Sequence, residues 1–401
     1  MDFRRIENLP PYVFSIINGL KIEARQAGAD VVDLGFGNPD IPSPDIAVAK
    51  LAEAAQNPRN HRYSLSRGLP KLREAIAGYY KNKWDVDLDP ELEITNTIGS
   101  KEGFTHLMWV LLDRGDAAIV PSPSYPIHMY GPLFAGADLR QVPMKFLANP
   151  SQRDNFADDF MDSLQTAWDV GWPKPRVLVM SFPHNPTGAT VDLPFMQRVV
   201  DFCREKEMIV VHDNAYADMG FDGHEPPSIL QAEGAKECAV ELYSMTKSFS
   251  MSGWRCAFLL GNKDVVQALV KLKSYLDYGM FQPVQIAATV TINEAPEFPD
   301  QVREVYESRC DTLIDGLQRI GWDVPKPGGT MFVWAPIPEA YSEMGSVEFC
   351  SHVVREADVA LSPGVGFGPG GEGFARFALI ENEMRINQAI RNLKRGLPKL
   401  A

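Results

Sequence analysis

Cysteine is scarce in this 401-residue chain: five residues, odd in number, scattered, and never in a C-x-x-C pair. That excludes a disulfide scaffold and reads as the reduced, mostly buried thiols of an intracellular protein. Basic charge is also short, with 39 Lys and Arg against 52 Asp and Glu and a formal net charge of −13. A protein that tracks a phosphate backbone carries a basic face, so no nucleic-acid partner is expected. No apolar run approaches membrane-spanning length; LMWVLL at 107–112 reads as a buried helix face. The opening MDFRRIENLPPYVF lacks the apolar core and small-residue cleavage site of a secretory signal. The seven histidines show no metal-ligand spacing, and no metal is expected. Together these absences describe a soluble, cytoplasmic protein with no membrane association.

What is present is ordinary globular material, 45% hydrophobic and 23% charged. The length exceeds what one hydrophobic core usually serves, which predicts two domains. Short apolar runs at 92–97, 117–120, 176–180, 208–211, 239–243 and 256–260 read as strands. Helix-period stretches such as 101–112, 193–206 and 263–276 lie between them. Continuous apolar strands alternating with helices predict an α/β fold with a mostly parallel sheet covered on both faces. Such sheets bind ligands beyond the carboxyl ends of their strands. After about residue 285 the rhythm changes to a long amphipathic helix at 297–319, a strand around GGTMFVWAPI, a helix at 346–356, a strand at 374–380 and a closing helix at 383–396. This predicts a large domain over 45–285 and a smaller α+β domain made of 286–401 and the irregular segment 1–44.

SMTKSFSMSGWR, residues 244–255, poses a choice of reactive group. Ser-x-x-Lys is a signature of serine acyl-transfer enzymes, yet the same letters can present Lys247 as a Schiff-base amine with Ser244 and Arg255 as accessories. The Ser-Asp-Asn and Lys-Thr-Gly partners of the serine chemistry are absent, as is any G-x-S-x-G elbow. A lone lysine after a strand is usually a solvated loop residue. Here it follows the buried run AVELYS and stands among hydroxyls. MIVVHDNAYADM (208–219) sets Asp213 just past another strand. A plain N-cap is the commonplace reading; a carboxylate that keeps a heteroaromatic nitrogen protonated is the functional one. Tyr216, three residues on, would face the same ligand.

MSFPHNPTGAT (180–190) ends a strand and offers the amide of Asn185, with Asn185–Pro186 a candidate cis bond. As a four-letter turn it would be commonplace. TNTIGSKEG (95–103) reads as strand, Gly-Ser turn and helix start, an anion site weak by itself and strengthened by Ser244 and Arg255. In FARFAL (374–379), Arg376 on an apolar strand face needs a carboxylate from the protein or a ligand. GVGFGPGGEG (364–373) imitates a dinucleotide fingerprint, but a strand follows it rather than a helix.

In this order and spacing, Asn185-Pro-Thr-Gly, Asp213-x-x-Tyr216, Ser244-x-x-Lys247, Arg255 and Arg376 resemble the class I/II aminotransferases of fold type I, over almost the whole chain. The resemblance implies pyridoxal 5′-phosphate (PLP) as cofactor, a homodimer, and amino- and 2-oxo-acid substrates. It implies Lys247 as the Schiff-base lysine and proton shuttle, Asp213 on the pyridinium nitrogen, and Tyr216 and Asn185 on the ring's 3-oxygen. Tyr125 would stack on the ring, while Ser100, Lys101, Ser244 and Arg255 would hold the phosphate. Tyr63 would reach the neighbouring subunit's phosphate, and Gly37, Asn185 and Arg376 would take the substrate α-carboxylate. Segments such as RIENLPPYVF, GNPDIPSPD, YSLSRGLPKLREAI and PSPSYPIHMYG are similar to the bacterial glutamate–pyruvate (alanine) aminotransferases. That implies alanine and 2-oxoglutarate in a ping-pong cycle. Aspartate or LL-diaminopimelate aminotransferases, and PLP-dependent C–S lyases of the same fold, are the alternatives.

Overall fold

The computed structural model describes residues Phe3, Leu9, 13–144 and 155–400, so most of the segment RIENLPPYVF lies outside the described residues. The strands are β1 (Val32–Asp33), β2 (Ile94–Ile98), β3 (Ala117–Ser122), β4 (Asp138–Pro143), β5 (Val177–Met180), β6 (Ile209–Asn214), β7 (Ala239–Ser244), β8 (Cys256–Gly261), β9 (Phe332–Pro336), β10 (Val359–Ala360), β11 (Ser362–Pro363) and β12 (Phe374–Ala378). Seven of them form the central sheet in the order β2-β8-β7-β6-β5-β3-β4. Pairing is parallel from β4 through β7, whereas β8 runs antiparallel to both neighbours, β7 and β2.

Every residue of β5, β7 and β8 is buried, which is why these strands read as unbroken apolar runs. Successive side chains feed two cores. Leu178, Val210 and Phe258 enter one face, while Val177, Val211 and Leu259 enter the other. Helix Ser100–Leu111 lies on the second face through Phe104, Leu107 and Met108, a spacing of three and one that marks one helical stripe. Docked this way, its N-terminal N–H groups point beyond the carboxyl end of the sheet.

A separate core gathers Val31, Val32 and Leu34 with residues from Val302 to Leu397. Helix Phe298–Arg319 presents Val302, Tyr306, Cys310, Leu313 and Leu317 to it, at steps of three or four. β1 pairs in parallel with β10, so the N-terminal stretch joins the C-terminal part of the chain. A three-stranded antiparallel sheet, β11-β12-β9, carries Arg376 opposite Trp334 and Ser362. Residue 285 falls inside helix Gln282–Glu294, whose Ala288 and Ile292 pack into the first core of the large sheet.

Candidate active site

At the carboxyl end of the sheet a cavity of about 250 Å³ opens between the sheet and the separate C-terminal core. Its walls bring together Gly37, Ser100, Lys101, Tyr125, Asn185, Asp213, Tyr216, Ser244, Lys247, Arg255 and Arg376. These come from stretches far apart in the chain, and each lies in a strand of the sheets just described or in a segment adjoining one. Tyr63 is the exception: it is 82% exposed, lies outside this cavity, and packs at 4.6 Å on the ring of Tyr278.

Lys247 sits in the short helix that follows β7, and its Nζ donates to the carbonyl of Gly37 at 3.0 Å. Burial, with added repulsion from Arg376 and Arg255, pushes the amine down to about 7. An amine so lowered holds an appreciable neutral, nucleophilic fraction near neutral pH. Asp213, on β6, is buried; its Oδ2 is 2.8 Å from His128 Nε2, while Oδ1 has no hydrogen-bond partner among the described residues. His128 in turn meets Ser124 Oγ through Nδ1 at 3.0 Å. A buried carboxylate oxygen left open costs free energy, and a protonated ring nitrogen is the kind of donor that relieves it.

Asn185 follows the cis bond-bearing turn after β5; Asn185–Pro186 is itself cis. Its amide nitrogen donates to Tyr216 Oη at 3.3 Å, and its oxygen accepts from Arg376 at 3.0 Å. Burial raises the Tyr216 phenol, so it stays a donor across the physiological range. Arg376 also donates to the Gly35 carbonyl at 3.1 Å.

The helix start at Ser100 forms the anion end. Ser100 Oγ is buried without a hydrogen-bond partner among the described residues. Gly99 has φ 80° and a bare Cα where a Cβ would fall 2.0 Å from an Arg255 guanidinium nitrogen. Only glycine permits that conformation and that approach. Arg255 adopts φ 57° and is further held by donating to the Ser252 carbonyl at 2.9 Å. Open N–H groups, two serine hydroxyls and a guanidinium at one helix N-terminus fit a phosphate. The residues therefore fit PLP at both ends, the ring nitrogen at Asp213 and the phosphate at Ser100, with Lys247 between. Lys101 is exposed at the rim, its Nζ 5.9 Å from the Tyr125 ring centre.

Sequence reasoning missed His128, Ser124 and Ser181, the last donating to the Asp213 carbonyl at 2.7 Å. It also missed the aromatic lining of Phe14, Phe36, Phe332 and Phe367. His128 stands three residues after Tyr125, hence on the same helical face, which is the one local signal that could have found it.

The fold and this cavity define a family. The chain belongs to the class I and II aminotransferases, whose family profile matches residues 29–393. It is accordingly a PLP-dependent transaminase acting on amino and oxo acids. It is 47% identical to the glutamate-pyruvate aminotransferase AlaC of Escherichia coli, over 98% of this chain and 93% of that protein. It is 40% identical to the LL-diaminopimelate aminotransferase of Moorella thermoacetica, over 100% of this chain and 99% of that one. Among solved structures, substrate-bound BacF from Bacillus subtilis superposes with a TM-score of 0.90 at 33% identity, covering 98% of this chain and 97% of the other.

Proposed function

We propose that this aminotransferase moves an amino group between alanine and 2-oxoglutarate in two half-reactions of a ping-pong cycle. The observation that supports it most is a buried lysine amine, lowered to about 7, set between a half-partnered carboxylate and an anion cup. PLP supplies the electron sink for the pair left on substrate Cα when its proton departs. Lys247 is placed to hold the group covalently at rest, and its amine, when free and neutral, would take the substrate Cα proton and, as ammonium, return one. Asp213 would keep a ring nitrogen protonated through Oδ1, with His128 and Ser124 fixing the carboxylate's other oxygen. Tyr216 and Asn185 would donate to the ring oxygen, and Tyr125 would cover the ring face. Ser100, Lys101, Ser244 and Arg255 would hold the phosphate end. Gly37 and Asn185 border the α-carboxylate, and Arg376 clamps it.

The working unit of this proposal is a cytoplasmic homodimer in which Tyr63 serves the neighbouring subunit's phosphate; its exposure outside its own cavity supports that role. Alanine as donor follows the similarity to the E. coli glutamate-pyruvate enzyme. A second reading, LL-diaminopimelate as donor, is favoured by a relative at 40% identity bearing that name. Lys101 at the rim fits a distal carboxylate under either reading.

Single amino acids added to the holoenzyme without a keto acid decide between them. Alanine and glutamate should bleach the cofactor's visible absorption. Bleaching by LL-diaminopimelate and not by alanine would replace the first reading with the second. Pyruvate and ammonia released from cysteine conjugates without a keto-acid acceptor would mark a C–S lyase instead.

A further inference from the structure

Arg376 is 5% exposed, a cation held almost out of water. Its guanidinium carbon lies 3.9 Å from the ring centre of Phe332 and 4.5 Å from that of Phe367. Its N–H groups donate to Asn185 Oδ1 at 3.0 Å, to the Gly35 carbonyl at 3.1 Å and to Ser362 Oγ at 3.5 Å. These oxygens are neutral, and the aromatic faces attract the cation through their quadrupoles. Such contacts compensate a buried charge without neutralising it.

Both rings are themselves fixed. A Cβ on Gly37 would stand 2.5 Å from Phe332 Cε1, so the missing side chain is where this ring sits, and the ring meets Tyr216 edge-on at 5.8 Å. Phe367 is held edge-on by Phe14 at 5.2 Å and by Trp334 at 5.7 Å. The two rings and the Asn185 and Gly35 oxygens together fix the position of the guanidinium.

We propose that Phe332 and Phe367 are positioning residues for Arg376, holding its guanidinium charged and oriented each time the α-carboxylate leaves between half-reactions. The proposal rests on Arg376 being the carboxylate clamp. Its consequence is a selective one: losing a ring weakens capture of the carboxylate and leaves the amine chemistry alone.

The test uses the holoenzyme's half-reaction with alanine and with ethylamine, which is alanine without its carboxylate. For Phe367→Leu and Phe332→Leu, kcat/KM for alanine should fall about ten-fold per ring through KM, equivalent to about 1.4 kcal/mol and within the cation–π range. Reaction with ethylamine should hold, and Phe367→Tyr, which keeps the ring, should restore alanine. Equal losses for both amines, or an unchanged alanine reaction, would overturn the proposal. Arg376→Leu separates the two ideas. If it leaves the preference for alanine over ethylamine intact, the clamp reading fails; if it removes that preference while both ring variants keep it, only the positioning role fails.

Discussion

His212 and Asp213 are consecutive residues of β6, and their side chains leave the sheet on opposite faces. His212 enters a fully satisfied network. Its Nδ1 meets Glu241 Oε2 at 2.8 Å, and Glu241 also accepts from Tyr80, Ser228 and the backbone N–H of Ile229. Burial would raise the Glu241 carboxyl, but the hydrogen bonds from His212, Tyr80 and Ser228 outweigh it and hold the group below its usual range. Asp213, one residue away, has one oxygen on His128 and the other open. The first cluster is architecture; the second has the open valence that the proposed site uses. What separates them is whether every lone pair has a partner, since both are buried and ionisable.

The sharpest way to break this contrast is at the amine. Lys247→Ala should abolish turnover while PLP is retained non-covalently, and borohydride treatment of wild type should tag the peptide containing residue 247. A tag on any other lysine would refute the assignment. Because burial lowers this amine and only its neutral form attacks, attachment of PLP to apoenzyme should accelerate as pH rises through about 7 and then level off.

Asp213→Ala should cost about a thousand-fold in kcat, the scale of losing a preorganised charge at the reacting centre, with little change in melting temperature. Glu241→Ala should do the reverse. Breaking a buried pair costs about 3–5 kcal/mol of stability, while kcat per folded molecule should stay within a few-fold of wild type. Since the folded Glu241 carboxyl lies below its unfolded value of 4.5, its contribution is present above that pH and is lost as pH falls below it through the folded value. Chemical denaturation of both variants, scored beside activity, checks the pair.

Smaller effects should sit at the rim. Lys101→Ala should raise KM for glutamate and 2-oxoglutarate roughly ten- to a hundred-fold, the worth of a charge-assisted contact of about 1.5–3 kcal/mol, and leave alanine and pyruvate nearly unchanged. Equal losses for all four would put Lys101 in the cofactor site alone. Tyr63→Phe should weaken PLP retention roughly ten-fold, the low end of such a contact. Mixed with Lys247→Ala, it should yield hybrid dimers carrying at most one native-like site; a fully active monomer in sedimentation would contradict it.

Much of this was legible in the chain. Strands β3, β5, β6, β7 and β8 announced themselves as apolar runs because both their faces are covered. The candidate site was legible because the cavity-lining residues cluster at or just past the ends of those runs. β4, DLRQVP, was not, because an edge strand with mostly uncovered side chains carries no apolar pattern. The reversed direction of β8 was equally silent, since a strand buried on two faces has the same composition whichever way it runs. His128 was hard to read for a different reason. Its local signal is only its place one turn after Tyr125, and its partner Asp213 lies 85 residues later, with no local rule linking the two.

That reversed strand has a consequence for how the two ends of a ligand are gripped. β7 delivers Ser244 and Lys247 at the carboxyl end of the sheet, and β8 starts back from the same end, with Ser244 paired to Ala257. Arg255 therefore arrives by a short reconnection, where a parallel neighbour would have required a crossover of about a dozen residues or more. The proposed covalent anchor, Lys247, and the proposed phosphate anchors, Ser244 and Arg255, ride on one tether, 244 to 255, clamped at both ends by adjacent strands. Once either anchor is engaged, the other is met intramolecularly, at the high effective concentration that a short linkage confers. Detachment of the cofactor then requires both to let go within the same interval. An enzyme that breaks and remakes its covalent link in every cycle can do so without losing its prosthetic group.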